Sequence, residues 1–169
     1  MVLIISGILV VFIAPILTLG VDSYDRTSRN VEVLTKMRYA MERIAREIRS
    51  IRRDPLDRGS YDVVTGSMTG TKFEFCRPDG TRVTIDNTTS ATQIALGYTT
   101  GFTSTCTASA ATTQVLTDSV TTFSMTYLTV TGAAATGKTD VAYVDLSLWI
   151  TGTGTLVYKS SMRVDMRNP

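Results

Sequence analysis

The chain has 169 residues and a formal net charge of +2, so it has room for one modest domain with an appendage. It contains no histidine, which removes the commonest general base and metal ligand and excludes Ser-His-Asp and Cys-His catalysis. No phosphate-binding glycine motif is present and the carboxylates are isolated, so we expect no enzyme activity, no cofactor and no metal site.

The first 21 residues form an uncharged apolar segment that ends before Asp22. As a helix, this segment spans about 30 Å, which is the thickness of the hydrocarbon core of a bilayer. A secretory signal peptide fits less well, because no basic residue precedes the apolar run and no A-x-A cleavage site follows it. Residues 1–21 are therefore predicted to be a single transmembrane helix.

Residues 22–54 are predicted to continue this helix as an amphipathic stem. Apolar residues at spacings of three and four mark one face of the stem. The opposite face includes Glu42 and Arg46, which are expected to form an i,i+4 ion pair. Asp54-Pro55 predicts the end of the helix, because proline disfavours helical geometry in the residue before it. The apolar stripe consists of Leu34, Met37, Met41, Ile44, Ile48 and Ile51.

Two partners for this stripe are open, namely the protein's own β-sheet and a neighbouring chain in a coiled coil. The stripe covers fewer than three full heptads, which favours packing on its own domain. Together, the apolar segment and the stem are predicted to form a rod of about 50 residues, close to 80 Å long.

Positive charge is concentrated on the stem. Residues 1–58 have ten lysines and arginines against seven acidic residues, whereas residues 59–169 have seven against eight. Such a run is typical of a solvated helix face, and we do not expect nucleic acid as a partner. Most of the excess comes from Arg38, Arg43, Arg46, Arg49, Arg52 and Arg53.

Gly7 and Pro15 stand within the apolar segment. Proline inside a helix removes a hydrogen bond and clashes with the preceding turn, so a kink or local break is expected at Pro15. In lipid the freed carbonyl needs another partner, which neighbouring helices make tolerable. Two interpretations are open: an ordinary transmembrane kink, and a segment that unwinds when many such helices are bundled.

Residues 55–169 are predicted to form an antiparallel β-sheet head domain with Thr-rich loops. A hairpin is expected around the turn at 77–80, with Phe73 and Phe75 before it and Val83 and Ile85 after it. Segments 120–128, 141–150 and 156–166 are expected to form a meander with one face on the stem and the other in water. The Thr-rich stretch between them predicts weak edge strands and long loops.

The two cysteines, Cys76 and Cys106, have no metal-binding spacing. In an exported domain an even pair favours one disulfide, and two unpaired thiols are the alternative. Closing a loop of this length would stabilise the head by roughly 3–4 kcal/mol.

The opening MVLIISGILVVFIAPIL resembles the N-terminal helix of type IV pilins and type II secretion pseudopilins. Gly7 and Pro15 match a glycine and a proline of that helix in spacing. The resemblance implies that N-terminal helices bundle into a filament core, where the segment between Gly7 and Pro15 loses helicity. The family's leader, phenylalanine and glutamate are not in the sequence. Two explanations are open, namely a start codon placed too late and a trimmed chain, and a chain that truly starts at Met1 is expected to be neither processed nor assembled normally.

The stem MRYAMERIAREIRSIRR resembles that of larger minor pilins of the PilW, MshO and pseudopilin J kind, and the ending YKSSMRVDMRNP resembles the last strand of MshO-type minor pilins. This resemblance implies an α+β fold of the type IV pilin kind, in which the second half of a long N-terminal helix packs on a C-terminal antiparallel sheet.

The implied function is that of a structural subunit of a type IV pilus or pseudopilus, a minor pilin that helps initiate or cap assembly. Such a subunit waits in the bacterial inner membrane as a single-pass protein. It then enters a homo- or heteropolymer, extracellular or periplasmic, through contacts of its N-terminal helix with other pilin subunits. Alternatives are a major pilin, a type II secretion pseudopilin, an adhesin or DNA-uptake pilin at the tip, and an anchored β-domain that never polymerises.

Overall fold

The computed structural model describes residues 2–64, 66–99 and 112–166, with side chains described except at 2–12, 14 and 112. In this part of the chain one long helix packs on two antiparallel sheets, which confirms an α+β architecture. The elements are α1 (Val2–Arg49), β1 (Lys72–Cys76), β2 (Arg82–Asp86), β3 (Ile94–Thr99), β4 (Thr112–Thr117), β5 (Val120–Leu128), β6 (Tyr143–Thr151) and β7 (Val157–Asp165).

Helix α1 ends at Arg49, so the predicted end at Asp54 is wrong by five residues. The chain beyond the helix pairs with other strands instead of continuing the helix. The amide of Arg52 donates to the carbonyl of Cys76 at 2.9 Å, and the amide of Asp62 donates to the carbonyl of Arg52 at 3.0 Å. These long-range hydrogen bonds satisfy the backbone before the proline is reached, and local sequence signals do not reveal them.

The strands form two sheets, where a single sheet was predicted. One sheet has the order β1-β2-β3-β4 and the other β5-β6-β7, and all neighbours are antiparallel. The sheets are joined where the amide of Val120 donates to the carbonyl of Thr92 at 2.9 Å and that of Met125 to the carbonyl of Gly70 at 2.8 Å. The predicted hairpin is β1–β2, and the predicted meander is β5–β6–β7 with ends shifted by two residues or fewer.

The Thr-rich stretch contributes more to the sheets than predicted. Strand β4 is the last strand of its sheet, as expected for an edge strand, but β3 lies between β2 and β4. Ile94 and Leu96 of β3 are buried, and their spacing of two residues is that of a strand with one face toward the core. The many threonines around them obscure this pattern in the sequence. Residues 100–111 lie outside the described residues.

Strand β1 is buried on both faces. Phe73 and Phe75 enter the apolar core, as predicted. The other face carries Glu74, whose carboxylate meets the Arg82 guanidinium of β2 at 2.5 Å, with both side chains at least 93% buried. The segment before β1 covers the open edge of this strand, since the Ser67 hydroxyl accepts from the Glu74 amide at 3.2 Å.

The core lies between the C-terminal part of α1 and the inner faces of both sheets. Of the predicted stripe, Leu34 is partly buried at the margin of the core, and the other five residues are buried. The stem therefore packs on its own domain, the first of the two partners considered. Those five buried residues are Met37, Met41, Ile44, Ile48 and Ile51.

Candidate assembly surface

Helix α1 leaves the head domain near Asn30. The Asn30 side-chain oxygen accepts from the amide of Thr153, in the β6–β7 turn, at 3.4 Å. One turn and a half later, Lys36 lies 3.1 Å from Glu32 and 3.8 Å from Asp118, the residue that links β4 to β5. We call residues 30–49 the head half of α1, and residues 13–29, which precede these contacts, the free half.

The free half exposes apolar side chains that no part of the described chain covers. Leu19 is 68% exposed, although a leucine on a globular helix is normally turned toward a core. The other described side chains of residues 13–29 are exposed too, including the polar residues from Asp22 onward, so this segment packs against nothing in the described chain. The exposed apolar residues are Ile13, Ile16, Leu17, Leu19, Val21 and Tyr24, each between 46% and 74% exposed.

The predicted membrane span at 1–21 falls mainly on side chains outside the described residues, namely 1–12 and 14. Over the described residues, no helix has a stretch that is both long and apolar enough to cross a bilayer. The span stays a prediction.

The backbone is helical through both Gly7 and Pro15. Pro15 is exposed, and its carbonyl accepts from the Thr18 hydroxyl at 2.9 Å. The side chains around Gly7, at residues 2–12, are outside the described part of the chain. Loss of helicity between Gly7 and Pro15 was predicted for a bundle of helices, and it stays a prediction.

The head half is fixed to the first sheet by a carboxylate that sequence reasoning missed. Glu47, with a side chain only 3% exposed, accepts from the Tyr98 hydroxyl of β3 at 2.8 Å and lies 3.2 Å from the Arg43 guanidinium. Arg77 approaches the other carboxylate oxygen at 3.8 Å. A signal was available, because Glu47 sits between Ile44 and Ile48 on the apolar face of the helix.

Tyr98 connects this cluster. Its hydroxyl accepts from Arg43 Nη2 at 2.7 Å while donating to Glu47. Burial raises the pKa of Tyr98, and the hydrogen bond to Glu47 acts in the same direction. The hydrogen bond to the Tyr98 hydroxyl raises the pKa of Arg43. The cluster therefore keeps the proton on Tyr98 and the charge on Arg43, and its hydrogen bonds hold the helix against β3.

The six stem arginines divide into two groups. Arg43 belongs to the Tyr98 cluster, Arg52 pairs with Asp62 at 2.6 Å, and Arg53 stacks 4.4 Å from the Tyr61 ring centre. These three serve the head domain itself. The other three, Arg38, Arg46 and Arg49, are exposed. Arg53 is exposed as well, so four of the six predicted arginines remain on the surface, and Arg43 and Arg52 are partly buried.

The expected Glu42–Arg46 ion pair is wrong. Both side chains are exposed on α1, but neither forms an ion pair with any described residue. The nearest buried acid, Glu47, binds Arg43 and Tyr98 instead. Arg46 and Arg49 thus keep their charges available on the helix surface.

Other charged groups of the head are engaged with one another. Asp145 of β6 accepts two hydrogen bonds from Arg163 of β7, at 2.7 and 2.8 Å, which lowers the pKa of Asp145. Lys159 lies 4.0 Å from the Trp149 ring centre on the same outer face. Among the described residues, no group of three or more potential metal ligands converges. This face of the second sheet has the character of a solvated surface.

Cys76 ends strand β1 and is fully buried and disulfide-bonded. Cys106, its predicted partner, lies outside the described residues, so the pairing itself stays a prediction. Cys76 also donates its amide to the carbonyl of Asp62 at 2.9 Å. The disulfide of Cys76 therefore begins at a residue where the segment after the helix is already hydrogen-bonded to the first sheet.

No family model matches the chain, and no curated protein matches it. Interpretation of the exposed helix therefore depends on its geometry and on the resemblance carried by the opening and stem sequences.

Proposed function

We propose that this chain is a filament subunit of the type IV pilin kind, a minor pilin or pseudopilin that assembles through its N-terminal helix. Before assembly the apolar segment at 1–21 holds it in the bacterial inner membrane. After assembly the helices bundle into the filament core and the head domain faces water.

The observation that carries this proposal is the contrast within α1. Apolar side chains of its head half pack into the core of the head domain. Its free half exposes Ile16, Leu17 and Leu19, which nothing in the described chain covers. Large contiguous apolar surface on a folded chain marks a contact with lipid or with another protein. Exposed apolar side chains of this kind need an apolar environment, which both a bilayer and a helix bundle supply.

The minor role is supported by the stem. Glu47 and Arg43, both within the resembling MERIAREIRSIRR sequence, fix the helix to β3. The part of the sequence that resembles minor pilins is thus the part that joins the rod to its head. A minor subunit and a major one differ in their copy number in the filament.

The test is mass spectrometry of sheared, purified surface filaments, with the N-terminal peptide and the abundance of the chain measured together. We expect the chain in the filament fraction, at low abundance relative to the main subunit. A matched pair of variants sharpens the result. Leu19→Asp charges the free half, where Leu19 is 68% exposed, and Leu56→Asp charges a leucine of the head that is 81% exposed.

Leu19→Asp should remove the chain from sheared filaments, whereas Leu56→Asp should leave it there. Both substitutions are at exposed positions, so the head domain should stay folded in each. If the parent chain remains in the membrane fraction and never appears in sheared material, the filament proposal fails and an anchored, non-polymerising domain takes its place.

A further inference from the structure

Strand β7 is an open edge of the second sheet. It pairs with β6 along its whole length, from Val157 to Asp165, and no described strand pairs with its other side. Residues of an antiparallel strand direct their backbone N–H and C=O groups alternately to one side and the other, so every second residue of β7 presents both groups outward. An edge of this kind is a template on which one more strand can pair.

The inner face of β7 is only partly covered. Its inward residues lie opposite residues of β6 that are at most 2% exposed, yet three of the four are only half-buried. Met162, for example, is half-buried, whereas Leu146, its partner on β6, is 1% exposed. A further strand beside β7 would cover this face. The three half-buried residues are Tyr158, Ser160 and Met162.

The flank of α1 next to this edge is basic. A shallow groove runs between α1 and β7, with Met162 on the strand side. Ala45 is buried at its floor, and Arg46 and Arg49 are exposed along it. Neither arginine forms an ion pair within the described chain. Together with Glu42, these residues form what we call the arginine groove, which has two basic side chains against one acidic side chain.

The edge and the groove together specify the chemistry of an occupant. A strand added to β7 directs every second side chain inward, toward α1. An apolar side chain at such a position would contact Ala45 and Met162, and a carboxylate would pair with Arg46 or Arg49. The groove extends about 10 Å along the helix from Glu42 to Arg49, which is the length of three strand residues. Two acidic residues at alternate positions therefore fit along it.

We propose that β7 and the arginine groove bind an extended acidic peptide segment of another protein, which adds to the second sheet as a fourth strand. Main-chain hydrogen bonds to the open edge hold the segment, and the groove selects acidic side chains at alternate positions. The site belongs to the head domain and requires no assembly. The inference therefore goes beyond the proposed filament function and is tested on the unassembled chain.

The other open edge provides an internal control. Strand β4 is the last strand of the first sheet, and its sequence TTQVLT contains no charged residue. Asp118, directly after β4, lies 3.8 Å from Lys36 of α1, so the basic side chain there already has an acidic neighbour. An acidic peptide should consequently distinguish β7 from β4, although both strands offer open backbone groups.

The first experiment measures fluorescence anisotropy of a labelled nonapeptide with the detergent-solubilised full chain. The peptide, Thr-Asp-Thr-Asp-Thr-Val-Thr-Val-Thr, carries its acidic and apolar side chains on one face when it is extended. We expect saturable binding, and binding about tenfold weaker when lysines replace the aspartates. Absence of saturable binding by the acidic peptide overturns the proposal.

A matched pair of variants tests the groove. Arg46→Glu/Arg49→Glu should reverse the preference, so that the lysine peptide binds more tightly than the acidic one. Arg26→Glu/Arg29→Glu exchanges two exposed arginines with the same spacing in the free half of α1, and it should leave the preference unchanged. A preference that survives in the first variant, or that is lost equally in both, overturns the assignment to the groove.

Two N-methylated peptides distinguish strand addition from charge attraction alone. One is methylated at backbone nitrogens of its central aspartate and valine, and the other at those of two central threonines. These two sets of N–H groups lie on opposite edges of the peptide strand, and only one edge faces β7. One peptide should therefore lose binding while the other keeps it. Equal affinity of the two peptides, whether high or low, overturns strand addition.

Amide hydrogen exchange, measured by mass spectrometry, locates the bound peptide. Exchange in residues 157–165 should slow when the acidic peptide binds, because outward amides of β7 gain hydrogen-bond acceptors. Exchange in residues 112–117, which form β4, should stay unchanged. Protection of β4 instead of β7, or of neither strand, overturns the site. None of these measurements uses filaments, so their failure leaves the filament proposal standing, and a chain that never enters filaments can still bind the peptide.

Discussion

The two halves of α1 have the same backbone conformation but opposite surroundings. In the head half Ile44 and Ile48 are completely buried, whereas in the free half Ile16 is 68% exposed and Leu17 64%. The free half carries both exposed apolar residues and charged residues such as Asp22 and Asp25, and all of its described side chains are exposed. The head half stabilises the fold of this chain, and the free half contributes apolar surface that the fold leaves unused.

This difference shows that apolarity in the free half is not explained by folding. Each buried methylene stabilises a domain by about 0.8 kcal/mol, and the exposed side chains of the free half contribute none of this within the described chain. Their contribution is available to a bilayer or to other subunits. Predictions that separate stability from assembly therefore test the comparison directly.

The largest expected effect is a cavity in the head half. Ile44→Ala should lower the free energy of unfolding by about 2–5 kcal/mol, because Ile44 is fully buried between helix and sheets. Ile16→Ala, its matched control in the free half, should change it by less than about 0.5 kcal/mol. Urea unfolding of the detergent-solubilised chain, followed by the fluorescence of Trp149, the single tryptophan, reports on the head domain.

Equal destabilisation by the two substitutions would break the comparison, because it would mean that the free half folds against the head. Loss of filaments with Ile16→Ala, at an unchanged free energy of unfolding of the head, would show that the free half acts in assembly and not in folding.

Spacing in the sequence was enough to identify the apolar stripe in the head half of α1. The stripe from Met37 to Ile51 follows from a period of 3.6, and the meander follows from a period of two in segments such as 156–166. These patterns are local, so they survive without knowledge of the rest of the fold. The α+β class, and the choice of the head domain as partner for the stripe, could be predicted for this reason.

Features that depend on distant contacts could not be predicted. The helix ends at Arg49 because Arg52 pairs with Cys76, which is 24 residues further along the chain. The internal position of β3 depends on pairing with both β2 and β4. The junction between the two sheets also depends on a distant contact, since the amide of Val120 donates to the carbonyl of Thr92, 28 residues earlier in the chain.

The candidate site divides in the same way. Charges at Asp22, Asp25, Arg46 and Arg49 are readable in the sequence, but it does not show that none of them forms an ion pair with a described residue. The i,i+4 rule favoured a Glu42–Arg46 pair that the structure does not form. Sequence reasoning gives the positions of charges on a helix, and only the structure shows which of them are engaged.

The second prediction concerns the polar contact that fixes the head half to β3. Glu47→Ala should lower the free energy of unfolding by about 1.5–3 kcal/mol, because it removes the buried acceptor of the Tyr98 hydroxyl and the charge partner of Arg43. Glu42→Ala, five residues earlier and exposed, should change it by less than about 0.5 kcal/mol. The same urea titration measures both.

If Glu47→Ala proved as mild as Glu42→Ala, the head half would be held by apolar packing alone. The two halves of α1 would then differ only in whether their apolar side chains are buried, and polar contacts would contribute nothing to holding the helix against β3.

The smallest expected effect is a pH dependence confined to the head. Lys138 donates a hydrogen bond to Asp54 at 2.6 Å just beyond the head half, and this bond lowers the pKa of Asp54 from its ordinary value of 3.8. A carboxyl with a lowered folded-state pKa stabilises the fold above its unfolded-state pKa and loses that contribution as the pH falls through its folded-state pKa. The contribution is therefore complete at neutral pH and disappears below pH 3.8.

Because Lys138 is 42% exposed, this contribution should be less than about 1 kcal/mol. Asp54→Asn should remove it at neutral pH and flatten the acid side of the stability curve. Asp25→Asn, in the free half, should leave the curve unchanged, because Asp25 forms no ion pair with the described residues. Unfolding midpoints at neutral pH and at about pH 3 distinguish the two variants. An effect of Asp25→Asn as large as that of Asp54→Asn would place the free half in contact with the head, and the separation between the halves of α1 would then be incorrect.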